Sequence, residues 1–446
     1  MSFIYLHPRE QVAETMSRVY RYGMTTTSGG NISMRDDDGR IWITPAAVDK
    51  GNLLPKDVVA IHPDGSTEGL HAPSSEHPFH SEIYRARPDL GAILHAHPPA
   101  LVSFSIVRRV PDTRVISQAS HICGSVGYAR YELPGTRELG ERIAAIFADG
   151  YDTVVMENHG TVVGGRDLAD AFQKFETLEF SARTIMQARI LGEVKYLSND
   201  ELALFQKARN RLSELSSHQV SSEEKAIRGQ LIDVVRRAYR QRLIVSTYGT
   251  FSARTSDGGF VITPTGADRY GLDRDDLIYV RGGKREPVIN SRGLQPSRAV
   301  RLHERIYAEH PEIKSIIGAQ SPSAMAYAVT GAELDTRTIP ESYVMLREIP
   351  IMPFGDQFRE GREISARLRP DTPILLLQND SVLVTGASIF ETFDRLEVCE
   401  YSARSLTESR SLGDVVPMGD EEIDAIKKKF FGAEESATEG PAPEDS

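Results

Sequence analysis

The chain has very little cysteine, with two residues, Cys123 and Cys399, among 446. Two distant cysteines cannot form the set of disulfides that holds small secreted domains together. The first residues contain neither a basic region nor a long apolar core, so we expect no signal peptide there. The sequence also lacks any run of about 18 apolar residues, which excludes a predicted membrane-spanning helix. We therefore expect a protein of the reducing cytoplasm.

An excess of positive charge is also missing. The net charge of −11 argues against a general nucleic-acid binder and against adhesion to an anionic membrane. The fractions of hydrophobic and charged residues, 40% and 26%, are those of an ordinary globular protein. Because 446 residues are many for one hydrophobic core, we expect two domains.

Candidate functional residues are concentrated between Pro73 and Pro99. The short apolar run Gly91–Leu94 predicts a buried strand, and His95 and His97 follow it directly. Residues i and i+2 of a strand point to the same face, so both imidazoles should point to one place. Glu76 lies earlier in the same stretch and is a candidate carboxylate for this site.

A third histidine follows a second predicted strand. The apolar run Thr153–Met156 precedes His159 in the sequence M-E-N-H-G-T. Three imidazoles with a nearby carboxylate suit Zn²⁺ or a similar divalent ion, with one coordination position left open for chemistry. Taken one at a time, an H-x-H pair or an N-H-G turn is equally compatible with a structural role.

Two further motifs make the pattern specific: S-G-G-N at Ser28–Asn31 and I-T-P at Ile43–Pro45. With the histidines, they resemble the class II aldolase/adducin family over roughly Pro8 to Gly192. This family includes L-fuculose-phosphate aldolase, L-rhamnulose-phosphate aldolase and L-ribulose-phosphate 4-epimerase. The resemblance implies an α/β/α sandwich in which helices cover both faces of a central, mostly antiparallel sheet.

The resemblance also implies a reaction. In similar aldolases a divalent metal, Zn²⁺ or another ion such as Mn²⁺ or Co²⁺, stabilises the enediolate formed when a ketose phosphate is cleaved to dihydroxyacetone phosphate and an aldehyde. The matching metal ligands here are His95, His97 and His159. The matching glutamate, Glu76, moves the proton and can also ligate the metal of the empty site. The residues that match the phosphate-binding positions of the family are Gly30, Asn31, Ser74 and Ser75.

The sequence departs from the family pattern in two places. The family motif T-P-[ST]-G is T-P-A-A here, with Ala46 and Ala47 in place of a hydroxyl and a glycine. Lys50 could compensate, although a solvated lysine is the simpler reading. The position at which fuculose-phosphate aldolases have an acidic tyrosine falls near Ile116, and Tyr131 and Tyr128 are candidate substitutes. A phosphorylated substrate is therefore less firmly implied than the metal.

Three readings of the function remain open. The first is a metal-dependent aldolase, which the glutamate of P-S-S-E favours because the epimerases have aspartate there. The second is an epimerase, dehydratase or decarboxylase of the same fold. The third is a non-enzymatic, adducin-like assembly module, which the histidine set of the first half disfavours.

The second half of the chain repeats the first. I-T-P recurs at Ile262–Pro264, and L-E-F-S-A-R at Leu178 recurs as C-E-Y-S-A-R at Cys399. The residues found at the chemical positions of the second copy are Ala299 for Glu76, Gly318 for His95, Gln320 for His97 and Asp380 for His159. We expect a catalytic domain at 1–215, a similar non-catalytic domain at 223–432 with its boundary near 216–222, and a disordered acidic tail at 433–446.

Several local predictions also come from the sequence. We expect a helix at His80–Arg87 capped by Ser74 and Ser75, and a loop at Gly124–Gly135. His303 of the second copy is expected to be a surface or capping residue.

Assembly follows from the resemblance. Family members form four-fold rings with the metal site at the seam between subunits, so two chains of two domains each could build one such ring. We expect a homodimer that forms a pseudo-tetrameric ring.

Overall fold

The structure is a computed structural model that describes residues 3, 6–207, 212, 218–282, 286–287 and 293–432. It divides into two compact units. The first contains Met1–Met186 and Tyr196–Leu202, and the second contains Gln187–Lys195 and Ala203–Ser446. The tail expected at 433–446 and part of the expected boundary at 216–222 lie outside the described residues.

The first half of the chain alternates short strands with helices. Its elements are α1 (Pro8–Arg21), β1 (Asn31–Arg35), β2 (Ile41–Ile43), β3 (Val59–Ile61), β4 (Thr67–Glu68), α2 (His77–Ala86), β5 (Ala92–Ala96), α3 (Pro99–Ile106), α4 (Ser117–Cys123), β6 (Val126–Ala129), α5 (Arg137–Ala148), β7 (Thr153–Met156), β8 (Thr161–Gly165), α6 (Leu168–Leu191) and α7 (Asn199–Lys207).

The strands of this half form one sheet of eight, in the order β4-β3-β2-β1-β5-β8-β7-β6. All neighbouring strands in this order are antiparallel except β6 and β7, which are parallel. Strand β5 lies at the centre, between β1 and β8. The histidine pair predicted from the sequence is therefore placed at the end of a central strand.

Helices cover both faces of the sheet. Successive residues of β5 point to opposite sides, so this strand packs against helices on each face. Leu94 packs with α1 and α6, in a core that includes Met16 and Phe175. Its neighbour Ile93 packs on the other face with α2 and α5. This is the expected α/β/α sandwich, and the two packed faces hold the central strand in place from both sides.

The second half repeats this architecture. Its elements are α8 (Ser222–Arg240), β9 (Thr250–Arg254), β10 (Phe260–Ile262), β11 (Ile278–Arg281), β12 (Glu286–Pro287), α9 (Val300–Glu309), β13 (Ser315–Ala319), α10 (Pro322–Thr330), α11 (Pro340–Leu346), β14 (Ile351–Met352), α12 (Arg362–Arg367), β15 (Ile374–Leu377), β16 (Ser381–Gly386), α13 (Ile389–Ser409) and α14 (Asp420–Phe430). The strand order, β12-β11-β10-β9-β13-β16-β15-β14, matches the first sheet position by position.

Three local predictions were wrong. Helix α2 begins at His77, not His80, and its N-cap residue is Glu76 rather than a serine, because Pro78 in the first turn favours an early helix start. The expected loop Gly124–Gly135 contains strand β6, which pairs with β7. His303 is fully buried rather than on the surface.

Across the described part of the chain, no helix combines the length and the apolar character that crossing a bilayer requires.

Candidate active site

The three histidines singled out from the sequence come together in the first unit. His95 is in β5, His97 follows that strand, and His159 lies in the turn between β7 and β8. The Nε2 atoms of His95 and His97 are 3.0 Å apart. One ligand atom from each of the three residues lies within 4.8 Å of the others, and the described residues contain no second group of this kind.

The imidazoles are held in the neutral form that binds metal. Burial lowers the pKa of His97 to about 4 and also lowers the pKa of His159. The pKa of His95 is lowered well below its usual value by burial, with neighbouring histidines adding to the effect. His95 Nδ1 lies 3.0 Å from the carbonyl oxygen of Thr161, which can only accept, so Nδ1 carries the hydrogen. The lone pair of His95 Nε2 therefore faces the cluster.

Glu76 lies against this cluster from the N-terminal end of α2. Its Oε2 is 3.4 Å from His95 Nε2, and its Oε1 is 3.5 Å from His159 Nε2. Asn31 Nδ2 donates a hydrogen bond of 2.7 Å to Oε2. Oε1 is buried without a hydrogen-bond partner among the described residues. A buried carboxylate oxygen without a donor is costly unless a cation or a substrate completes its environment.

These residues fit a divalent cation. The cluster offers three neutral imidazoles, and a fourth donor, the Glu76 carboxylate, lies beside them. Without a cation, the close approach of His95 Nε2 and His97 Nε2 requires a hydrogen on the latter. With one, both lone pairs and the unpartnered Oε1 would have a common partner.

Two glycines make room for the cluster. A Cβ on Gly160 would lie 2.5 Å from His97 Cδ2 and 2.6 Å from the carbonyl oxygen of Ala96. Gly30 has a φ of +72°, and a Cβ there would lie 2.7 Å from the carbonyl oxygen of His95. Since real Cβ atoms do not come this close, both positions require glycine.

The residues matched to phosphate binding lie on adjacent segments around Glu76. Asn31 contacts the carboxylate directly, and the Ser74 Oγ accepts a hydrogen bond of 3.3 Å from the backbone N–H of Glu76. The backbone N–H of Ser74 donates to the carbonyl oxygen of Thr44, in the I-T-P motif, at 3.1 Å. Ser75 is exposed, whereas Asn31 and Ser74 are buried.

The departures from the family pattern have structural consequences. Ala47 has a left-handed φ of 54°, a conformation that favours the glycine found there in the family. The interpretation of Lys50 as a solvated residue was wrong. Lys50 is 3% exposed, its Nζ donates to the carbonyl oxygen of Pro45 at 2.6 Å, and burial lowers its pKa to about 8.

Of the tyrosines considered as acids, Tyr131 is the more exposed. Its backbone N–H donates to Glu157 Oε2 at 3.2 Å, which ties it to the residue two positions before His159. Ile116 is fully buried.

Sequence reasoning missed a row of buried polar side chains behind Glu76. The Asn31 Oδ1 lies 2.5 Å from His80 Nε2, and His80 Nδ1 lies 2.7 Å from Ser33 Oγ. Ser33 Oγ in turn lies 2.9 Å from the hydroxyl of Tyr84. The available signal was that His80 and Tyr84 recur in the second half at the same spacing, as His303 and Tyr307.

The second unit has the same framework without the three imidazoles and the carboxylate. Gly318 pairs with Thr250 across the sheet in the same way that His95 pairs with Asn31. Asp380 and Ser381 follow β15 where His159 and Gly160 follow β7.

Comparison with known families agrees with this architecture. The profile of the family described as "Class II Aldolase and Adducin N-terminal domain" matches residues 10–186 and again residues 229–407. The chain belongs to the class II aldolase/adducin family. Its tandem organisation follows from the two separate matches.

Curated relatives match about one copy of the domain. The 5-deoxy-D-ribulose 1-phosphate aldolase of Bacillus thuringiensis is 33% identical over 200 residues, which is 44% of this chain and 91% of that protein. The 3-oxo-tetronate 4-phosphate decarboxylase of Escherichia coli K12 is 30% identical over 201 residues, or 44% and 93% of the two chains. An L-fuculose phosphate aldolase of E. coli O6:H1 is 30% identical over 196 residues, or 44% and 90%. The related enzymes therefore include both aldolases and decarboxylases.

Proposed function

We propose that the first copy is a metal-dependent aldehyde-lyase that cleaves a phosphorylated ketose to dihydroxyacetone phosphate and an aldehyde. The observation that carries this proposal is the position of Glu76 beside the three neutral imidazoles, with one carboxylate oxygen anchored by Asn31 and the other without a donor among the described residues. The relatives named as phosphate-sugar aldolases support the same reaction class.

Cleavage of an aldol requires one proton to leave a hydroxyl group and another to reach the departing carbon. Glu76 can exchange a proton through Oε1, to which no residue in the described part of the chain donates, while Oε2 stays bound to Asn31. His95, His97 and His159 would hold the metal, for which Zn²⁺ is our first choice and Mn²⁺ or Co²⁺ are alternatives. A bound divalent cation would supply Lewis-acid stabilisation of the negative charge that develops on substrate oxygens.

The phosphate is proposed to bind at Gly30, Asn31, Ser74 and Ser75. The support is that Asn31 and Ser74 already converge on the backbone and side chain of Glu76. Ser75, which is exposed on the same segment, could reach a ligand from solvent.

The test is a panel of ketose 1-phosphates with enzymatic detection of the released aldehyde. The panel includes fuculose, rhamnulose, ribulose and 5-deoxyribulose phosphates, each assayed with Zn²⁺, Mn²⁺ and Co²⁺ after removal of bound metal. We expect turnover of at least one member. Failure of every member with every metal would overturn the aldolase assignment.

A second candidate is decarboxylation of a phosphorylated oxo acid. The observation in its favour is the 30% identity to a 3-oxo-tetronate 4-phosphate decarboxylase. Loss of CO₂ also leaves negative charge on a carbon next to a carbonyl group, so the same residues could serve. Release of CO₂ without aldehyde from an oxo-acid phosphate would favour this candidate.

We propose that the second copy is non-catalytic, because Ala299, Gly318, Gln320 and Asp380 replace the four chemical residues. Two chains would form a homodimer in which the four domains make a pseudo-tetrameric ring. Light scattering should then give twice the chain mass of 49.4 kDa. A monomer would contradict this assembly.

The two free cysteines are in keeping with a reducing compartment, which we propose is the cytoplasm.

A further inference from the structure

The row of buried polar residues behind Glu76 has a fixed direction. Asn31 Nδ2 donates to Glu76 Oε2, so the amide oxygen Oδ1 faces His80. The opposite orientation of the amide would place its oxygen against a carboxylate oxygen, two acceptors without a hydrogen between them. Because Oδ1 can only accept, the hydrogen of the His80 imidazole must be on Nε2.

The remaining contacts follow from this tautomer. His80 is fully buried, and burial lowers its pKa to about 3, so the ring is neutral and Nδ1 carries a lone pair. The Ser33 hydroxyl therefore donates to Nδ1, and the Tyr84 hydroxyl donates to Ser33 Oγ. Every hydrogen bond in the row then points toward Glu76, and Ser33, His80 and Asn31 each have a partner on both sides.

The second unit contains the serine, histidine and tyrosine of this row but lacks the amide and the carboxylate. Ser252 Oγ lies 2.7 Å from His303 Nδ1 and 2.8 Å from the Tyr307 hydroxyl, matching Ser33, His80 and Tyr84. The Asn31 position is Thr250, which bonds to Ser297 instead, and the Glu76 position is Ala299. His303 Nε2 consequently has no hydrogen-bond partner among the described residues.

This difference separates two roles that are combined in the first unit. The Ser-His-Tyr group persists where the chemistry is gone, so it contributes to the packing of both copies. Only in the first unit does the histidine also hold an amide that holds a carboxylate. We propose that His80 is a positioning residue: its Nε2–H fixes the orientation of the Asn31 amide, which anchors Glu76 Oε2 and leaves Oε1 to exchange the proton with substrate. This inference rests on the proposed lyase function for its kinetic consequence, but its geometric content does not.

The experiment uses matched substitutions in the full-length protein. His80→Leu and His303→Leu each remove an imidazole buried against a serine, so their effects on packing should be similar. Only His80→Leu also frees Asn31. We expect it to lower kcat by about 10- to 100-fold, the usual effect of losing a residue that orients an active group, with metal content little changed. His303→Leu should leave kcat within about twofold of wild type.

A conservative variant tests for more than structure. In His80→Gln the side-chain amide can place an N–H near the position of Nε2, so most of the kcat lost in His80→Leu should return. Equal kcat in all the variants, or equal losses in His80→Leu and His303→Leu, would overturn the proposal. If His80→Leu does not fold, the kcat of His80→Gln relative to His80→Asn decides, since the shorter Asn cannot reach the same position. Equal rates in that pair would count against it.

A second measurement needs no activity. In a crystal structure of metal-free His80→Leu, the contact of 2.7 Å between Asn31 Nδ2 and Glu76 Oε2 should be lost, or the Asn31 amide should be rotated. An unchanged contact would overturn the positioning role, even if the protein proves to be something other than a lyase. Conversely, an active lyase in which these variants behave like wild type would refute the role of His80 and leave the proposed function intact.

Discussion

The two copies of the domain share a sheet order and a set of helices, but they differ at the end of the central strand. In the first copy, β5 ends in two imidazoles that a third imidazole and a carboxylate approach. In the second, Gly318 in β13 and Gln320 just after that strand occupy the same places. The packing residues on both sides of each strand are buried in the same way. The fold therefore does not depend on these imidazoles and this carboxylate, which can be lost without loss of the sandwich.

The comparison also shows that the sizes of two neighbouring residues at the site differ together between the copies. The first copy has the large His95 beside the small Gly160, whereas the second has the small Gly318 beside the larger Ser381. A Cβ on Gly318 would lie 3.9 Å from Ser381 Oγ, an ordinary contact. Glycine at position 160 is thus tied to the imidazoles, and the second copy does not need it.

The largest expected difference between the copies is in metal binding. The purified protein should hold about one divalent ion per chain, because the described residues contain one cluster of potential ligands. His95→Ala should lose the ion, and the matched substitution Gln320→Ala should keep it. Elemental analysis measures both. Two equivalents per chain would show that the second copy is not the empty partner described above.

The next difference concerns the carboxylate. Glu76→Gln should retain the metal but lose roughly two to four orders of magnitude in turnover, because the amide cannot exchange the proton. The amide oxygen can still accept from Asn31, so the geometry of the site is preserved. Steady-state kinetics on the true substrate provide the measurement. Ala299→Gln is the control in the second copy, and a rate for Glu76→Gln near wild type would make Glu76 a structural residue.

A smaller effect is expected from transferring one residue of the second copy to the first. Gly160→Ser should displace His97, whose Cδ2 would lie 2.5 Å from the new Cβ, and weaken metal affinity by about 10- to 100-fold. Titration of the metal-free protein by calorimetry measures this. The reverse change, Ser381→Gly, should leave metal affinity unaltered, and a normal affinity in Gly160→Ser would mean that the backbone moves to accommodate it.

The smallest effect per residue is expected in the folding stability of the metal-free protein at acid pH. Burial lowers the pKa of His80, His95, His97 and His159 in the first unit, compared with His303 in the second. The unfolded chain protonates histidine below about pH 6.5 while the folded chain does not, so stability is lost as the pH falls through that value. Between pH 6.5 and 5.5 each buried histidine should cost about 1 kcal/mol.

The first unit should therefore open more readily than the second at pH 5.5. Hydrogen exchange followed by mass spectrometry on the chelator-treated protein measures the two units separately. Equal sensitivity of the two units to acid would show that these histidines are not held neutral in the folded protein.

Much of the fold was predictable from the sequence because it depends on local patterns. The apolar run at Thr153–Met156 was predicted as a strand with the bounds that the structure has. The alternation of a strand placed both imidazoles of His95 and His97 on one side, and the structure brings them together as predicted. Local prediction was wrong at α2, where a proline in the first turn favours a helix start at His77 rather than His80.

The sequence by itself determined that the domain is duplicated, which three histidines come together in the first copy, and that the second copy lacks them. Each of these is a property of residue type and spacing. Only the tertiary structure decided the partners of the buried polar atoms. That Asn31 reaches Glu76, that His80 rather than solvent fixes its amide, and that Lys50 is enclosed all depend on segments distant in sequence meeting at one place. A hydrogen bond depends on distance and angle to a few tenths of an ångström, which residue spacing along the chain does not specify.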